Sequence, residues 1–538
     1  MVKSSTCVAA RKKRALAYAA VGLAGLALGG TAHAADEAAA DAAMATADAD
    51  QVNTVSSVEV QGQITKQNNP KVTADPLDNP QTVTVIPRGT IAAQNLLSLR
   101  DILSTVPGIT FGAGEGGGGF GDSINLRGYS ATNDITLDNV RDGAQYSRSD
   151  PFNVEQIEVT NGANGVYSGA GSVGGTINIV SKRPTMRNST VVSGGVGTEN
   201  YWRGTVDANH VVRDGVAVRL NAMVHRNDAP GRDVEEFKRW GVAPAITFGL
   251  GGPTQFTAMY FHQEDRDTPQ YGVPFFNGRP LPGVSPKRYF GYSNIDRSDQ
   301  HVDVLTGILD HEFGGGLKVR ALLRYQDVDS RTVVNAPQGT YCLANGLKPV
   351  AFSQSTTATD ITGFAPCLAS DPAPGFYQPS GPRGRSRDAN NELAHGQVDF
   401  TWEGEIGGMQ HTLVVGAAAF EEDYRLDTGE VQRQANGAPP VLPPMNIVDP
   451  DNFYAGPVNF ILTSIRYGSR SNQAVYLFDN IVLSERWSIN GGIRYEHNKA
   501  SSRTDTYVTA PGPNLGSLDA RGERLAATDD MLTYRIGV

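Results

Sequence analysis

Downstream of Pro184 the apolar and polar residues alternate with a period of two. In the run 215–226, Val216, Val218, Leu220, Ala222 and Val224 share one face, while Arg219, Asn221 and His225 share the other. In 318–326, Val319, Ala321, Leu323 and Tyr325 oppose Arg320, Arg324 and Gln326. In 486–496, Trp487, Ile489, Gly491, Ile493 and Tyr495 oppose Ser488, Asn490, Arg494 and Glu496. These runs have the ~9–11 residues of a membrane-crossing strand, against ~5–6 for the usual soluble one. Their polar faces carry Arg, Asn, Gln and Glu along much of their length, as a watery lumen requires. Tyr201, Trp202, Tyr260, Tyr325, Trp402, Trp487 and Tyr495 stand at or near run ends, where interfacial aromatic girdles lie. Connections alternate as well. Those at 194–195, 213–215, 249–252, 314–316 and 404–408 are short or moderate; those at 265–298, 329–390 and 428–463 are long and Pro-rich. The pattern predicts an antiparallel transmembrane β-barrel.

Upstream of Pro184 the texture is that of a small α/β domain. Residues 79–87 form a strand bounded by prolines. Ser98 and Asp101 frame a capping box for a helix whose apolar face is Leu99, Ile102, Leu103 and Val106, stopped by Pro107-Gly108. The stretch 111–121 contains G-x-G-x-x-G at Gly112, Gly114 and Gly117. A dinucleotide site needs that motif between a strand and a helix. Here it follows a helix end and precedes a strand at 123–126, so it reads as an exposed apex. More strand is expected at 125–129 and 134–140, followed by a polar loop at 141–150 holding Tyr146 and Arg148. In 154–184, two apolar runs, Ile157–Val159 and Thr176–Val180, flank a middle dense in Gly, Ala, Ser and Asn. The hand-over between the two textures falls here.

The N-terminus reads as an export signal. Lys3, Arg11, Lys12, Lys13 and Arg14 precede the apolar run 15–28, and Ala32-His33-Ala34 is an A-x-A cleavage site. Residues 35–51 are Ala- and Asp-rich, without apolar periodicity. The β-prone run 54–62 then stands alone in a polar setting. Such a strip is unstable by itself but can add to another protein's sheet edge.

Composition narrows the classes. The 538 residues carry a net charge of −10, which argues against nucleic acid as a partner. No mature segment offers the ~18 consecutive apolar residues of a membrane helix. Cys7 leaves with the signal. Cys342 and Cys367 remain, in a Pro/Gly/Ser-rich stretch without a nearby His, which suggests a loop disulfide rather than a metal site. No nucleophile–base pair suggests covalent chemistry, so no enzyme, metal or permanently bound cofactor is expected.

These residues resemble a TonB-dependent outer-membrane siderophore receptor, most closely the catecholate-siderophore receptor branch. The resemblance rests on the combination of 79–85, 99–101 with 106–109, 111–117, 126–129, 155–159, 167–169, 174–184, 228–233 and 238–244. It covers nearly everything from Val55 onward. It implies an N-terminal α/β plug domain inside a C-terminal antiparallel transmembrane β-barrel. Residues 1–34 would be the signal peptide, 35–69 a flexible periplasmic segment, 70–184 the plug and 185–538 the barrel. Val55, Ser56, Ser57, Val58, Glu59, Val60 and Gln61 match the TonB box, the strip that TonB pairs with. Glu115, Gly116, Gly117, Gly118, Tyr146 and Arg148 are the implied siderophore contacts at the plug apex. Arg127, Gly128, Gly174 and Gly175 belong to the plug's structural motif. An Arg and a Tyr suit an anionic, aromatic ferric catecholate. The expected partners are TonB with its inner-membrane energising complex, a ferric siderophore as transported ligand, and outer-membrane lipid; the protein is expected to be a monomer.

Two departures from the family pattern stand out. Ala163 replaces a frequent Pro, and Asn161 stands where a basic residue is common. Plugged transporters have about 22 strands. Residues 185–538 hold about 14 at roughly 25 residues per strand and connection, so the barrel is expected to be C-terminally truncated. The competing readings are a TonB-dependent receptor for cobalamin or carbohydrate, and a passive porin.

Overall fold

The computed structural model describes residues 67–74, 79–112, 122–144, 146, 150–169, 173–276, 278–350, 363–381 and 383–538. The first part is built on a mixed five-stranded sheet. Its elements are β1 (Val83–Pro87), α1 (Arg88–Ala93), α2 (Leu99–Ser104), β2 (Ile109–Phe111), β3 (Ile124–Leu126), β4 (Tyr129–Ser130), β5 (Ile135–Leu137), β6 (Val140–Arg141), β7 (Val154–Asn161), α3 (Gly165–Ser168) and β8 (Gly175–Ser181). The sheet order is β1-β7-β8-β5-β6, with β5 and β8 parallel and the other pairs antiparallel. β2, β3 and β4 make a separate small sheet.

Local chemistry explains the helices. Ser98 Oγ accepts from the Asp101 N–H at 3.1 Å, the first half of the expected capping box. Leu99, Ile102, Leu103 and Val106 then bury against Leu126, Ile135, Val159 and Ile177 as one apolar core. α1 follows Pro87 without a side-chain cap, and its six residues are too few to show a helical period. The Gly-rich middle of 154–184 contains the one-turn helix α3 as well as turns. Gly175 opens β8 at φ +141°, and a Cβ there would lie 2.1 Å from the Thr160 carbonyl oxygen. Only glycine fits at that point.

The second part is one continuous antiparallel sheet. Its long strands are β9 (Ser189–Val196), β10 (Trp202–Arg213), β11 (Val216–Asp228), β12 (Glu236–Phe248), β13 (Thr254–Asp267), β14 (Arg297–Gly314), β15 (Leu317–Val334), β16 (Arg385–Ile406), β17 (Met409–Glu430), β18 (Ile461–Ser484), β19 (Trp487–Tyr507) and β20 (Leu525–Gly537). Each pairs with the next in chain order. Twelve long strands are thus present among the described residues, against the expected 14. The shortfall comes from length: β14 to β19 run 18 to 24 residues, so each uses more chain than the ~10-residue estimate.

Side-chain alternation follows the expected faces. Leu323 is 69% exposed while the adjacent Arg324 is 4% exposed. Leu220, Val224, Trp240, Phe256, Tyr260, Leu305, Tyr325, Phe400, Leu477, Ile493 and Tyr495 form the exposed apolar belt of the outer face. Arg219, Asn221, Gln263, Arg324, Gln326, Asp399, Arg494 and Glu496 are buried on the inner face, which packs on the α/β domain. His225 lies on that inner face opposite Arg203, whereas His311 lies outside beside the 315–316 turn and contacts Thr254 at 2.6 Å. No helix among the described residues is long and apolar enough to cross a membrane.

Candidate functional site

The α/β domain is fastened to the wall by ion pairs on the inner face. Asp138 and Asn139 take φ of +48° and +68°, the left-handed pair that turns β5 into β6. This turn aims the Asp138 carboxylate at β15, where Arg324 Nη2 lies 2.8 Å from Oδ2. Ser181 donates to the same carboxylate through its N–H and its hydroxyl, each at 2.9 Å. Burial pushes the Asp138 carboxyl up, but Arg324, Arg183 and the Ser181 bonds outweigh it, so it lies below the usual range. Asp150 receives a bidentate pair from Arg203 at 2.6 and 2.8 Å. Lys182, at the exit from β8, is 3.0 Å from Asp207, which also holds Arg219 bidentately at 2.8 Å.

A second contact zone lies under residues 67–73. Asn68 N–H donates to Glu158 Oε1 at 2.6 Å. Lys71 is buried, donates to the Tyr167 carbonyl at 3.1 Å and sits 4.6 Å over the Tyr476 ring. Burial, and then Arg494, lowers its pKa to about 8 against the opposing pull of Asp399 and Glu496. Asn490 of β19 donates to Thr73 Oγ1 at 2.9 Å.

Above the α/β domain, the inner face of β16, β17 and β18 presents cations beside aromatic rings. Register places Arg387, Phe420, Tyr424, Arg466 and Arg470 on this face. Arg470 lies 5.3 Å over the Phe420 ring, and the Tyr424 hydroxyl hydrogen-bonds Arg387. Arg466 is exposed. Guanidinium groups beside aromatic rings are chemically suited to a soft, anionic, aromatic surface.

The long connections above form a layer with its own core. Phe276, Leu281, Phe290, Tyr292, Tyr377, Met445 and Tyr454 bury together, and Tyr341 stacks on Tyr377 at 4.6 Å. Arg383 donates to the Ala336 carbonyl at 2.9 Å and to the Tyr377 hydroxyl at 3.0 Å. Cys342 and Cys367 are joined as a disulfide across 25 residues of one long connection.

The sequence-expected residues are distributed unevenly. The strip 55–61, the apex residues 115–118 and Arg148 lie outside the described residues. Tyr146 is described. It is 6% exposed, and its hydroxyl donates to Asp142 at 2.8 Å while the ring packs with Val302, Val304 and Val328. Arg127 and Gly128 take φ of +54° and +85° in the tight turn joining β3 and β4. The Gly174 carbonyl accepts from Gly162 N–H at 2.8 Å. Sequence reasoning missed Lys71, Glu158, Asp138 and the wall set on β16–β18. Period-two alternation did mark Arg324 as inward-facing; nothing local says which carboxylate meets it.

Comparison with known proteins gives two family matches, the TonB-dependent Receptor Plug Domain over residues 75–176 and the TonB dependent receptor-like β-barrel over residues 239–538. The chain is 36% identical to the probable TonB-dependent siderophore receptor PiuA of Acinetobacter baumannii, over 92% of its own length and 63% of that protein. It is 29% identical to the catecholate siderophore receptor Fiu of Escherichia coli, over 86% of its length and 59% of that protein. The chain therefore spans about three fifths of these curated relatives. Among solved structures it superposes on the ferric-catecholate import receptor Fiu of Escherichia coli, closed form, with a TM-score of 0.71 at 26% identity, covering 88% of this chain and 65% of that one. On the siderophore receptor PiuA the TM-score is 0.72 at 26% identity, covering 88% and 64%.

Proposed function

Because the chain belongs to the TonB-dependent receptor family of the bacterial outer membrane, we propose that it takes up a ferric siderophore of catecholate type in a TonB-driven cycle. The observation that carries the ligand class is the wall set Arg387, Tyr424, Arg466 and Arg470 with Phe420, on the inner face between the plug and the loop layer. A ferric tris-catecholate is a trianion with aromatic edges. Guanidinium groups neutralise it and stack on its rings, a match of charge and shape that a neutral sugar does not offer. The relative Fiu is named as a catecholate siderophore receptor, and PiuA as a probable siderophore receptor.

In this reading residues 1–34 are removed on export. Residues 55–61 pair as an added strand with TonB, main-chain hydrogen bonds supplying the affinity. Glu115, Gly116, Gly117, Gly118 and Arg148 meet the ligand from below, and the wall cations meet it from the side. Pulling on 55–61 then opens a path past the Asp138–Arg324 and Asp150–Arg203 seams. The chemistry is binding and movement; no bond of the ligand is broken. Uptake of radiolabelled iron(III) tris-catecholate by iron-starved cells tests the reading. Uptake should require TonB and be abolished by Val58→Pro, which removes a strand donor. Uptake of cobalamin or an oligosaccharide in place of the iron complex would overturn the ligand class. Uptake indifferent to Val58→Pro would overturn the TonB coupling.

A further inference from the structure

Residues 67–73 bring together two buried ions of opposite sign, and neither has an ion pair among the described residues. Lys71 is 4% exposed, and among the described residues its ammonium makes one hydrogen bond, to a neutral carbonyl, and one ring contact. Glu158 is 1% exposed and is held by neutral donors: Asn68 N–H at 2.6 Å, Gln156 Nε2 at 2.6 Å and Asn178 Nδ2 at 3.0 Å. The two are not each other's partners. Lys71 points to the α3 and β18 side, and Glu158 sits in β7. A buried charge without a counter-ion is costly even when hydrogen-bonded.

The same seven residues bridge plug and wall. Gln67 Nε2 donates to Thr160 Oγ1 at 3.2 Å, and Asn139 Nδ2 donates to the Asn68 carbonyl at 2.5 Å. At the other end, Thr73 accepts from Asn490 on β19. Val72 packs with Val166, Tyr167, Val414, Tyr476 and Phe478. Lifting this segment would hydrate both ions at once while leaving the main seams, Asp138–Arg324 and Asp150–Arg203, untouched.

We propose that residues 67–73 are a loaded release strap, closed by apolar packing and hydrogen bonds and biased to open by the unpaired Lys71 and Glu158 beneath it. Its place in the transport cycle rests on the reading that 55–61 is where TonB pulls. The strap follows that strip in sequence, so among the described residues it is the first to feel tension. Lys71 is a positioning residue: its cost keeps the docked strap shallow in energy and the first step of opening cheap. Burial lowers the Lys71 pKa to about 8, the direction that a costly buried ammonium requires.

The test is maleimide labelling of Val72→Cys in the folded chain, without TonB or siderophore. In protein lacking residues 1–34, and with them Cys7, the disulfide occupies Cys342 and Cys367, so the new thiol is the one that reports opening. Lys71→Met keeps the apolar stem and removes the charge. It should slow labelling roughly tenfold, the effect of ~1.4 kcal/mol on a local opening equilibrium. Asn490→Ala removes the Thr73 tether without touching either ion and should speed labelling severalfold. Equal or faster labelling in Lys71→Met would overturn the proposal, since Lys71 would then be an ordinary anchor. If Lys71→Met fails to assemble, as judged by heat-modifiable migration, Lys71→Gln gives the same reading. These outcomes need no transport. Failed iron uptake would remove the function and leave the strap standing, and a failed strap would leave the uptake reading intact.

Discussion

Arg324 of the wall and Asp138 of the plug form an ion pair at 2.8 Å with both side chains almost fully buried, 1% and 0% exposed. The pair joins the β5–β6 turn to β15, and the Arg324 guanidinium also donates to Thr306 Oγ1 at 2.9 Å and to the Leu137 carbonyl. Removing one partner strands the other. Asp138→Ala should destabilise plug docking by about 3–5 kcal/mol, because Arg324 keeps its charge in a dry site. The double variant Asp138→Asn/Arg324→Met should recover most of that loss. The check is the urea midpoint of the folded protein for both variants. Equal damage in single and double variants would show that the pair is not the source.

Gly175 supplies a sharper steric prediction. Its φ of +141° and the 2.1 and 2.6 Å approaches to Thr160 O and Leu126 Cδ2 leave no room for a methyl group. Gly175→Ala should cost about 3 kcal/mol or more through backbone strain and overpacking of the plug core. Folded protein recovered from the outer membrane should fall several-fold. Gly128→Ala, where no atom stands within 4 Å of the added carbon, should cost only the left-handed φ, about 1 kcal/mol.

Much of this fold was legible in the sequence. The period-two runs placed Leu220 and Leu323 outside and Arg219, Arg324 and Glu496 inside, because alternation is fixed by the pleat of a single strand. The capping Ser98 and the stop at Pro107-Gly108 were local signals and held. Partnerships across the chain were not legible. Asp138 meets Arg324 because two strands far apart in sequence are brought to one height by sheet register and plug insertion. The wall set was hidden for the same reason, since Arg387, Tyr424 and Arg466 come from three strands separated by long connections. Tyr146 was implied as a ligand contact by the family resemblance; its hydroxyl is tied to Asp142 and its ring is buried against β14 and β15, partnerships that its loop sequence does not announce. Strand length also escaped the pattern, because the strands continue past the apolar belt with mixed polar residues such as Arg385–Asp388 that carry no alternation.

The wall set predicts a split in transport kinetics. Arg470→Ala removes a cation that lies over Phe420 and that the proposed uptake reading turns toward the ligand. A charge-assisted contact is worth about 1.5–3 kcal/mol, so the KM for iron(III) tris-catecholate uptake should rise roughly tenfold or more. The maximal rate should stay near that of the parent, since Arg470 touches neither the plug seam nor the strap. Phe420→Leu should have a smaller effect in the same direction. A fall in maximal rate at constant KM would place Arg470 in plug movement instead.

The disulfide predicts stiffness of the loop layer. Cys342 lies beside Tyr341 and Leu343 of the loop core, and the bridge closes 25 residues of an otherwise long connection. By the loop-entropy estimate its loss is worth about 3 kcal/mol to that layer. Cys342→Ser/Cys367→Ser should raise hydrogen exchange across 339–342 and 376–379 while leaving β16 and β17 protected. Unchanged exchange across 339–342 and 376–379 would mean that the aromatic core holds the layer unaided.

Asp296 gives the loop layer a pH dependence of defined sign. It is 6% exposed and stands at the foot of the layer, where Tyr289 OH, Tyr292 N–H and Asn335 Nδ2 donate to it at 2.7, 2.9 and 2.6 Å. Burial pushes its carboxyl up to about 6, and those hydrogen bonds together with Arg383 only partly oppose the rise. A group whose folded pKa exceeds the unfolded value of 3.8 contributes stability that is complete below 3.8 and is lost as pH climbs through about 6. The layer should therefore be tighter at pH 4.5 than at pH 7.5, by at most ~3 kcal/mol from this group. Amide exchange of 289–296, corrected for intrinsic rates, is the measurement. Asp296→Asn keeps the shape and removes the titration, so its protection should be flat across that window. A variant that keeps the parent's pH profile would assign the dependence to another group.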